Sequence, residues 1–234
     1  MKLRFVIVIL RVLALAAPAT MLAQGSDTVV PVYKESHHRV RFDNGIVRVY
    51  EVKLNKNEST LFHEHAADNF AVRISTTSIV EQRLGGPSNV RPSKAGTVAL
   101  ASTEKGPYTH RLGCIDDAVF HVVDVEINSK SRLGPNVEMP KRSEKHFTIV
   151  SETSRGRVYR MILKASETTE VFARPANTAI VALSGGRVTE VTDGKPLRYW
   201  DSEPGNFRWV SAPEKLTIKN DGVIDLDVVE IEIF

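Results

Sequence analysis

The chain has 234 residues, of which 42% are hydrophobic and 25% are charged, a composition that allows one large or two small globular domains. The formal charge of +3 comes from Lys2, Arg4 and Arg11, because the rest of the chain contains equal numbers of basic and acidic residues. This balance argues against nucleic acid as a partner.

Residues 1–23 have the layout of a secretory signal peptide, in which two basic residues precede an apolar run that ends in small residues. Arg11 splits the apolar run and leaves it shorter than the roughly 20 residues of a membrane-spanning helix. The pattern fits cleavage after either Ala19 or Ala23. We therefore expect a periplasmic or secreted protein that has no membrane contact once the leader is removed.

The remainder of the chain predicts strands. Residues 24–35 show no regular apolar order and are expected to be an arm. From Arg39 onward, short alternating apolar runs are separated by turn residues such as Asn44-Gly45. Residues 118–127 close the first half as a strand, and no segment predicts a helix of more than about three turns. The fold class predicted here is all-β.

A repeat divides the chain into two similar units. An offset of 109 residues aligns residues 48–81 with 157–190, and an offset of 106 aligns residues 122–126 with 228–232. Because each copy contains the same strands and turns, the sequence predicts two β-sandwiches or small barrels side by side.

The predicted domain bounds follow from this repeat. The first barrel is expected at residues 36–128 and the second at 146–234, with a polar linker at 129–145 that contains Gly and Pro. The single cysteine, Cys114, cannot form a disulfide within the chain, and we expect it to be a small buried hydrophobe.

Three histidines form a candidate metal site in the first unit. His63 and His65 are two residues apart on a predicted strand, so their side chains point to the same face. His110 lies ahead of the closing strand of the same unit. Three neutral imidazoles with an open position suit one divalent transition-metal ion, which could be Zn, Fe, Mn, Ni or Cu.

The motifs around these histidines resemble those of the cupin superfamily. His63-x-His65 after a turn at Asn57, then Lys94-Ala95-Gly96, then a segment from Gly106 to His110, are similar to the two cupin motifs. The resemblance covers residues 39–234 as a double cupin, or bicupin. It implies two tandem jelly-roll barrels (double-stranded β-helices), with metal in the mouth of the first, and an activity of the dioxygenase, isomerase or decarboxylase type.

Two departures from the cupin pattern bear on the ligands. Cupins often supply a glutamate a few residues after the second histidine, where this chain has Asp68 and Asn69, so a fourth ligand stays open. In the second unit, Phe172, Arg174 and Leu216 take the places of the three histidines. We expect the second barrel to lack metal.

Other residues are weaker candidates. His37 and His38 are expected to be solvated arm residues or an incidental surface metal site, and His121 a packed strand residue or an inward acid or base. Arg73 could face a substrate carboxylate or solvent. The aromatic residues Trp200, Phe207 and Trp209 are expected to pack in the core or between the units.

Two functions are compatible with these patterns. The first is a metal-dependent enzyme that acts on a small polar molecule, with His63, His65 and His110 holding the ion. The alternative is a noncatalytic small-ligand-binding or structural protein, which the lack of a clear acid or base beside the histidines favours. A homodimer is compatible with both.

Overall fold

The structure, a computed structural model, describes residues 28–128 and 141–234. The predicted signal peptide and residues 129–140 of the predicted linker lie outside these ranges. Within them, nineteen strands form four sheets, and the described residues contain no α-helix. The described ranges therefore contain no helix that is long and apolar enough to cross a membrane. The predicted fold class, all-β with two tandem jelly-roll barrels, is confirmed.

The first barrel consists of two facing sheets, with strand orders β1-β4-β9-β6-β7 and β2-β3-β10-β5-β8. Side chains alternate between the inside and the outside of the barrel along each strand. On β10, for example, Val122 and Asp124 line the interior, whereas Val123 and Val125 face out. The strands are β1 (Val29–Pro31), β2 (His38–Asp43), β3 (Val47–Leu54), β4 (Phe62–His65), β5 (Asn69–Arg73), β6 (Thr77–Arg83), β7 (Ser88–Ser93), β8 (Val98–Ala101), β9 (Tyr108–Cys114) and β10 (Phe120–Ile127).

The second barrel repeats this arrangement, with strand orders β11-β12-β19-β14-β17 and β13-β18-β15-β16. Its turns also repeat: Asn57 and Ser166, which are 109 residues apart, both have left-handed backbone with φ of 67° and 65°. The strands are β11 (Phe147–Glu152), β12 (Gly156–Leu163), β13 (Phe172–Arg174), β14 (Thr178–Ala182), β15 (Gly186–Thr192), β16 (Arg198–Ser202), β17 (Phe207–Val210), β18 (Glu214–Asn220) and β19 (Leu226–Ile233).

Residues 28–35 of the predicted arm contribute to the first barrel. Strand β1 pairs in parallel with β4 and places Val30 opposite His63. A single 3-10 turn at Val32–Lys34 then leads the chain into β2. The arm was not recognisable as a strand because only three residues pair and no alternating pattern develops over so short a length.

The outward faces of the two barrels pack against each other. Val125 and Phe70 of the first barrel share one apolar core with Val229 and Ile231 of the second. Burying a Val or Phe side chain contributes about 1.5–3 kcal/mol, so this core stabilises the pair of barrels. Among the predicted packing aromatics, Phe207 and Trp209 contact Phe42 of the first barrel, whereas Trp200 packs on the core of the second.

Candidate metal centre

The predicted ligands His63, His65 and His110 lie together inside the first barrel. His63 and His65 share one face of β4, and His110 on β9 is directly opposite His63. The ring centres are 5.1 Å apart for His63 and His65, 4.6 Å for His63 and His110, and 5.3 Å for His65 and His110. Imidazole nitrogens bind a metal ion such as zinc at about 2.0–2.1 Å, so ligating rings must lie close together, as these three do.

His38 also belongs to this cluster, and the expectation of a solvated arm residue is wrong for it. Its ring centre is 4.4 Å from that of His63 and 6.1 Å from that of His65. The ligand atoms of His38, His63 and His65 all lie within 4.8 Å of one another. Strand β2 begins at His38 and pairs with β3, which turns the imidazole into the barrel and leaves the residue 6% exposed.

The hydrogen bonds of three of the four rings leave the lone pair on Nε2 available to a metal. A neutral imidazole carries its proton on one nitrogen and keeps a lone pair on the other. In three of the rings Nδ1 contacts an oxygen atom, which assigns the proton to Nδ1 and the lone pair to Nε2. These contacts are His38 to Glu35 Oε2 at 2.7 Å, His63 to the Leu61 carbonyl at 2.9 Å and His110 to Glu81 Oε1 at 3.2 Å.

One atom of the cluster supports the fit to an ion directly. His63 Nε2 is buried and has no hydrogen-bond partner among the described residues. A buried polar atom without a partner costs about 1–3 kcal/mol. An ion bound at Nε2 would remove this cost, so the residues present fit a transition metal.

The imidazoles are held in the neutral form that metals require. Burial, and then the neighbouring His38 and His110, lower the pKa of His63 to about 2. The pKa of His65 is lowered by burial and then by His63 and His110. Burial also lowers the pKa of His110, although the Glu81 carboxylate opposes the shift. Protons therefore do not compete for these rings near neutral pH.

A cavity of about 180 Å³ adjoins the imidazoles and is lined by His38, His65 and His110 together with apolar side chains such as Val122 and Phe120. This volume is below the roughly 300–1,000 Å³ of pockets for drug-sized ligands. The cavity therefore suits a small molecule.

Arg73, on β5, lines this cavity, so of the two predicted directions its side chain takes the one towards a ligand and not the one towards solvent. Its guanidinium group lies 5.2 Å from the centre of the Phe120 ring and makes no hydrogen bond or salt bridge within the described residues. Burial lowers the pKa of Arg73, against the opposing charges of Asp124 and Glu81. Since this half-buried cation has no hydrogen-bonded counter-charge, the group is suited to an anionic part of a ligand.

Asp124 is an inward acidic residue that the sequence reasoning missed. It lines the cavity, and its Oδ1 has no hydrogen-bond partner among the described residues. Burial, and then the charge of Glu126, raise its pKa to about 7. A carboxyl group with this pKa can accept or release a proton near neutrality. Asp124 and Glu126 alternate with the valines of β10, and this alternation could have indicated that both acidic side chains point into the barrel.

Three other candidates lie away from the cluster or only beside it. Asp68 accepts hydrogen bonds from the N–H and hydroxyl of Thr103, at 2.6 and 3.0 Å, and lines a different cavity. The Asn69 amide N–H donates to His65 Nδ1 at 3.0 Å, so Asn69 lies behind the ring, and His65 accepts at Nδ1 where the other three rings donate. His121 lies 3.1 Å from Glu51 Oε1 and does not line the cavity.

The equivalent positions of the second barrel carry no imidazole. Phe172 lies opposite Leu216, as His63 lies opposite His110, and Arg174 replaces His65. Phe147 begins β11, the counterpart of β2, and therefore replaces His38. All four positions thus differ between two barrels that share one framework of strands.

Comparisons with known proteins support the fold. No family model and no curated protein match the chain. Among solved structures, AerE from Microcystis aeruginosa aligns with a TM-score of 0.58 at 11% identity, over 80% of this chain and 88% of AerE. A mutant of salicylate 1,2-dioxygenase from Pseudoaminobacter salicylatoxidans aligns with a TM-score of 0.55 at 10% identity, over 81% of this chain and 72% of the dioxygenase.

A third structure, oxalate decarboxylase from Bacillus subtilis with its Mn(II) centres, aligns with a TM-score of 0.52 at 13% identity. The alignment covers 80% of this chain and 69% of the decarboxylase. These structures are cupins, so the chain has the cupin fold, present twice. The resemblance to the cupin superfamily that the motifs indicated is confirmed at the level of the fold, which by itself does not define an activity.

Proposed function

We propose that the first barrel binds one divalent transition-metal ion through His63, His65 and His110 and acts as a metal-dependent enzyme on a small anionic molecule. The observation that carries this proposal is the buried, unpartnered Nε2 of His63 among neutral imidazoles. When bound, such an ion supplies Lewis-acid or dioxygen chemistry, depending on whether it is redox-active.

The residues of the cavity have separate roles in this proposal. The Arg73 guanidinium binds the anionic group of the substrate, because within the described residues it has no hydrogen-bonded or ion-paired partner. The apolar side chains Phe120 and Val122 exclude water from the cavity. Asp124 holds or releases a proton, since burial raises its pKa to about 7. Asp124 is thus an acid or base beside the histidines, which could not be recognised from the sequence alone.

Dioxygenation, decarboxylation and isomerisation are the reaction classes to test. A dioxygenase and a decarboxylase are among the proteins of similar structure, and both support a metal-dependent reaction on a small carboxylate, although fold does not determine chemistry. We also propose that the protein is exported, which the signal-peptide pattern of residues 1–23 supports.

Metal analysis of the purified protein tests the proposal first. We expect about one equivalent of a transition metal, and a rise in melting temperature when metal is returned to chelator-treated protein, because a ligand at 100 times its Kd stabilises by about 2.7 kcal/mol. His63→Ala should abolish both effects. Protein that holds no metal and does not respond to Zn, Fe, Mn, Ni or Cu would refute the site.

A screen of small carboxylates, with product analysis, then separates catalysis from binding. Turnover that is lost in His63→Ala supports an enzyme. Saturable binding of a carboxylate that is recovered unchanged, in metal-loaded protein under both aerobic and anaerobic conditions, would instead identify a noncatalytic binding protein.

A further inference from the structure

We propose that His38 is an additional ligand of this metal site and that Glu35 positions it. The inference rests on the proposed function and extends the predicted ligand set with a residue from outside the two cupin-like motifs. The ligand would come from the N-terminal segment, which the sequence placed in a solvated arm.

The positions of the ligand atoms support this assignment. Among the described residues, His38, His63 and His65 form a group in which the ligand atoms all lie within 4.8 Å of one another. His38 Nδ1 contacts a carboxylate oxygen, which leaves Nε2 with the lone pair. Its ring also lines the cavity beside His65 and His110. A buried imidazole with one free lone pair, next to two others, has the chemistry of a ligand.

Glu35 has the contacts expected of a residue that orients a metal ligand. Its carboxylate is 2.7 Å from His38 Nδ1 and accepts a hydrogen bond of 3.2 Å from the Leu61 N–H. The carbonyl of Leu61 in turn accepts the Nδ1 proton of His63 at 2.9 Å. Glu35 and Leu61, which precedes β4, therefore fix the orientation of the His38 and His63 imidazoles. Carboxylates that bind the second nitrogen of a metal-ligating histidine are typical of such sites.

The second barrel shows that the fold does not need an imidazole at this position. Strands β2 and β11 begin at His38 and Phe147, and both strands contain a register shift two to four residues later. The ring centres of Phe147 and Phe172 are 4.7 Å apart, close to the 4.4 Å between His38 and His63. Phenylalanine thus fills the same space where no metal site is expected. His38 therefore serves a purpose that is specific to the first barrel.

The variant His38→Phe copies the second barrel and tests the ligand role. Affinity for Zn²⁺ would be measured by competition with a chelator, and bound imidazoles would be counted by pulsed electron paramagnetic resonance of Cu²⁺-loaded protein. We expect His38→Phe to fold, to lose more than about 10-fold in Zn²⁺ affinity and to show one imidazole fewer on Cu²⁺. As a control, His121→Gln, which removes an imidazole outside the cavity, should retain the affinity of the original protein.

The role of Glu35 is tested by a pair of variants. Glu35→Ala should weaken Zn²⁺ binding by about 10- to 100-fold, and Glu35→Gln, which keeps an oxygen acceptor for His38 Nδ1, should restore most of it. Equal losses in both variants would overturn the positioning role.

The possible failures of the inference and of the proposed function are distinguishable. If the original protein and His38→Phe bind Zn²⁺ equally well and carry the same number of imidazoles on Cu²⁺, the inference fails while the proposed function stands. If the original protein binds neither ion, both fail.

Discussion

Arg174 occupies in the second barrel the position that His65 occupies in the first. Each is the last residue of a short strand, and each lies opposite the first residue of the neighbouring strand, Tyr108 for His65 and Glu214 for Arg174. Arg174 is 1% exposed and makes ion pairs at 2.6–3.2 Å with three carboxylates, those of Glu190, Glu214 and Glu230. In the second barrel, the Arg174 guanidinium therefore occupies the place that the imidazole cluster occupies in the first.

This network predicts that Arg174 is required for the stability of the second barrel. Arg174→Met removes one cation from a cluster of buried carboxylates, which then have only Arg142, Arg198 and Arg208 as partners. Removal of one member of a buried ion pair costs about 3–5 kcal/mol. Urea unfolding monitored by tryptophan fluorescence measures this loss, because Trp200 and Trp209 are the two tryptophans of the chain and both lie in the second barrel. An unfolding midpoint equal to that of the original protein would contradict the prediction.

An exposed ion pair provides the control for this experiment. Arg187 contacts Asp201 at 3.4 Å, with side chains that are 68% and 76% exposed. Because solvent screens such a pair, Arg187→Met should change the free energy of unfolding by less than about 1 kcal/mol.

Acid should destabilise the second barrel through Glu230. Burial would raise the pKa of Glu230, but the charges and hydrogen bonds of Arg174 and Arg142 outweigh burial and lower it to about 2. Since the pKa in the folded state is below the unfolded value of about 4.3, the stabilisation is present above that value and is lost as the pH falls towards 2. Urea unfolding at a series of pH values should show this loss, and Glu230→Gln should reduce the pH dependence. Stability that is constant from pH 5 to pH 2 would refute the assignment.

Asp124 should be needed for turnover and not for metal binding. Asp124→Asn keeps the shape of the side chain but cannot exchange a proton, so we expect the rate to fall by about 10²- to 10⁴-fold. Metal content, measured by elemental analysis, should remain near one equivalent. Asp117→Asn, at an exposed position whose side chain is 93% accessible, is the matched control. Full activity in Asp124→Asn would exclude a proton-transfer role.

Arg73 should determine the preference for anionic ligands. Hydrogen bonds to charged groups contribute about 1.5–3 kcal/mol, so Arg73→Ala should weaken the binding of a small carboxylate by about 10- to 100-fold. Its neutral amide analogue should bind the two proteins alike. Calorimetric titration measures both affinities, and the exposed Arg39→Ala serves as the control. Equal losses for the carboxylate and the amide would point to a change of cavity shape instead of charge recognition.

The repeat and its strands could be predicted from the sequence because the information is local. Alternation of apolar residues defines a strand from its own residues, and the offset of 109 residues recovers pairs such as β3 with β12 and β5 with β14. Asn57, predicted to form a turn, has the left-handed conformation that such a turn uses. The pair His63 and His65 was recognisable for the same reason, since two residues two apart on a strand must share a face.

His38 was missed because its neighbours give no local pattern. The segment from Ser36 to Arg39 is polar throughout, and the strand that begins at His38 forms only by pairing with β3. The direction of its ring is therefore a property of that pairing. Arg73 is a similar case, because a strand pattern alone leaves open which of the two faces is covered by the opposite sheet.

The sequence by itself determined that one β unit occurs twice, which residues of each copy form strands, and that the imidazoles of one copy are missing from the other. Only the tertiary structure decided that His38, Arg73 and Asp124 face the same cavity as His65. The physical reason is that alternation along a strand is set by the backbone of that strand, whereas the inside of a barrel exists only after distant strands have paired and closed around it.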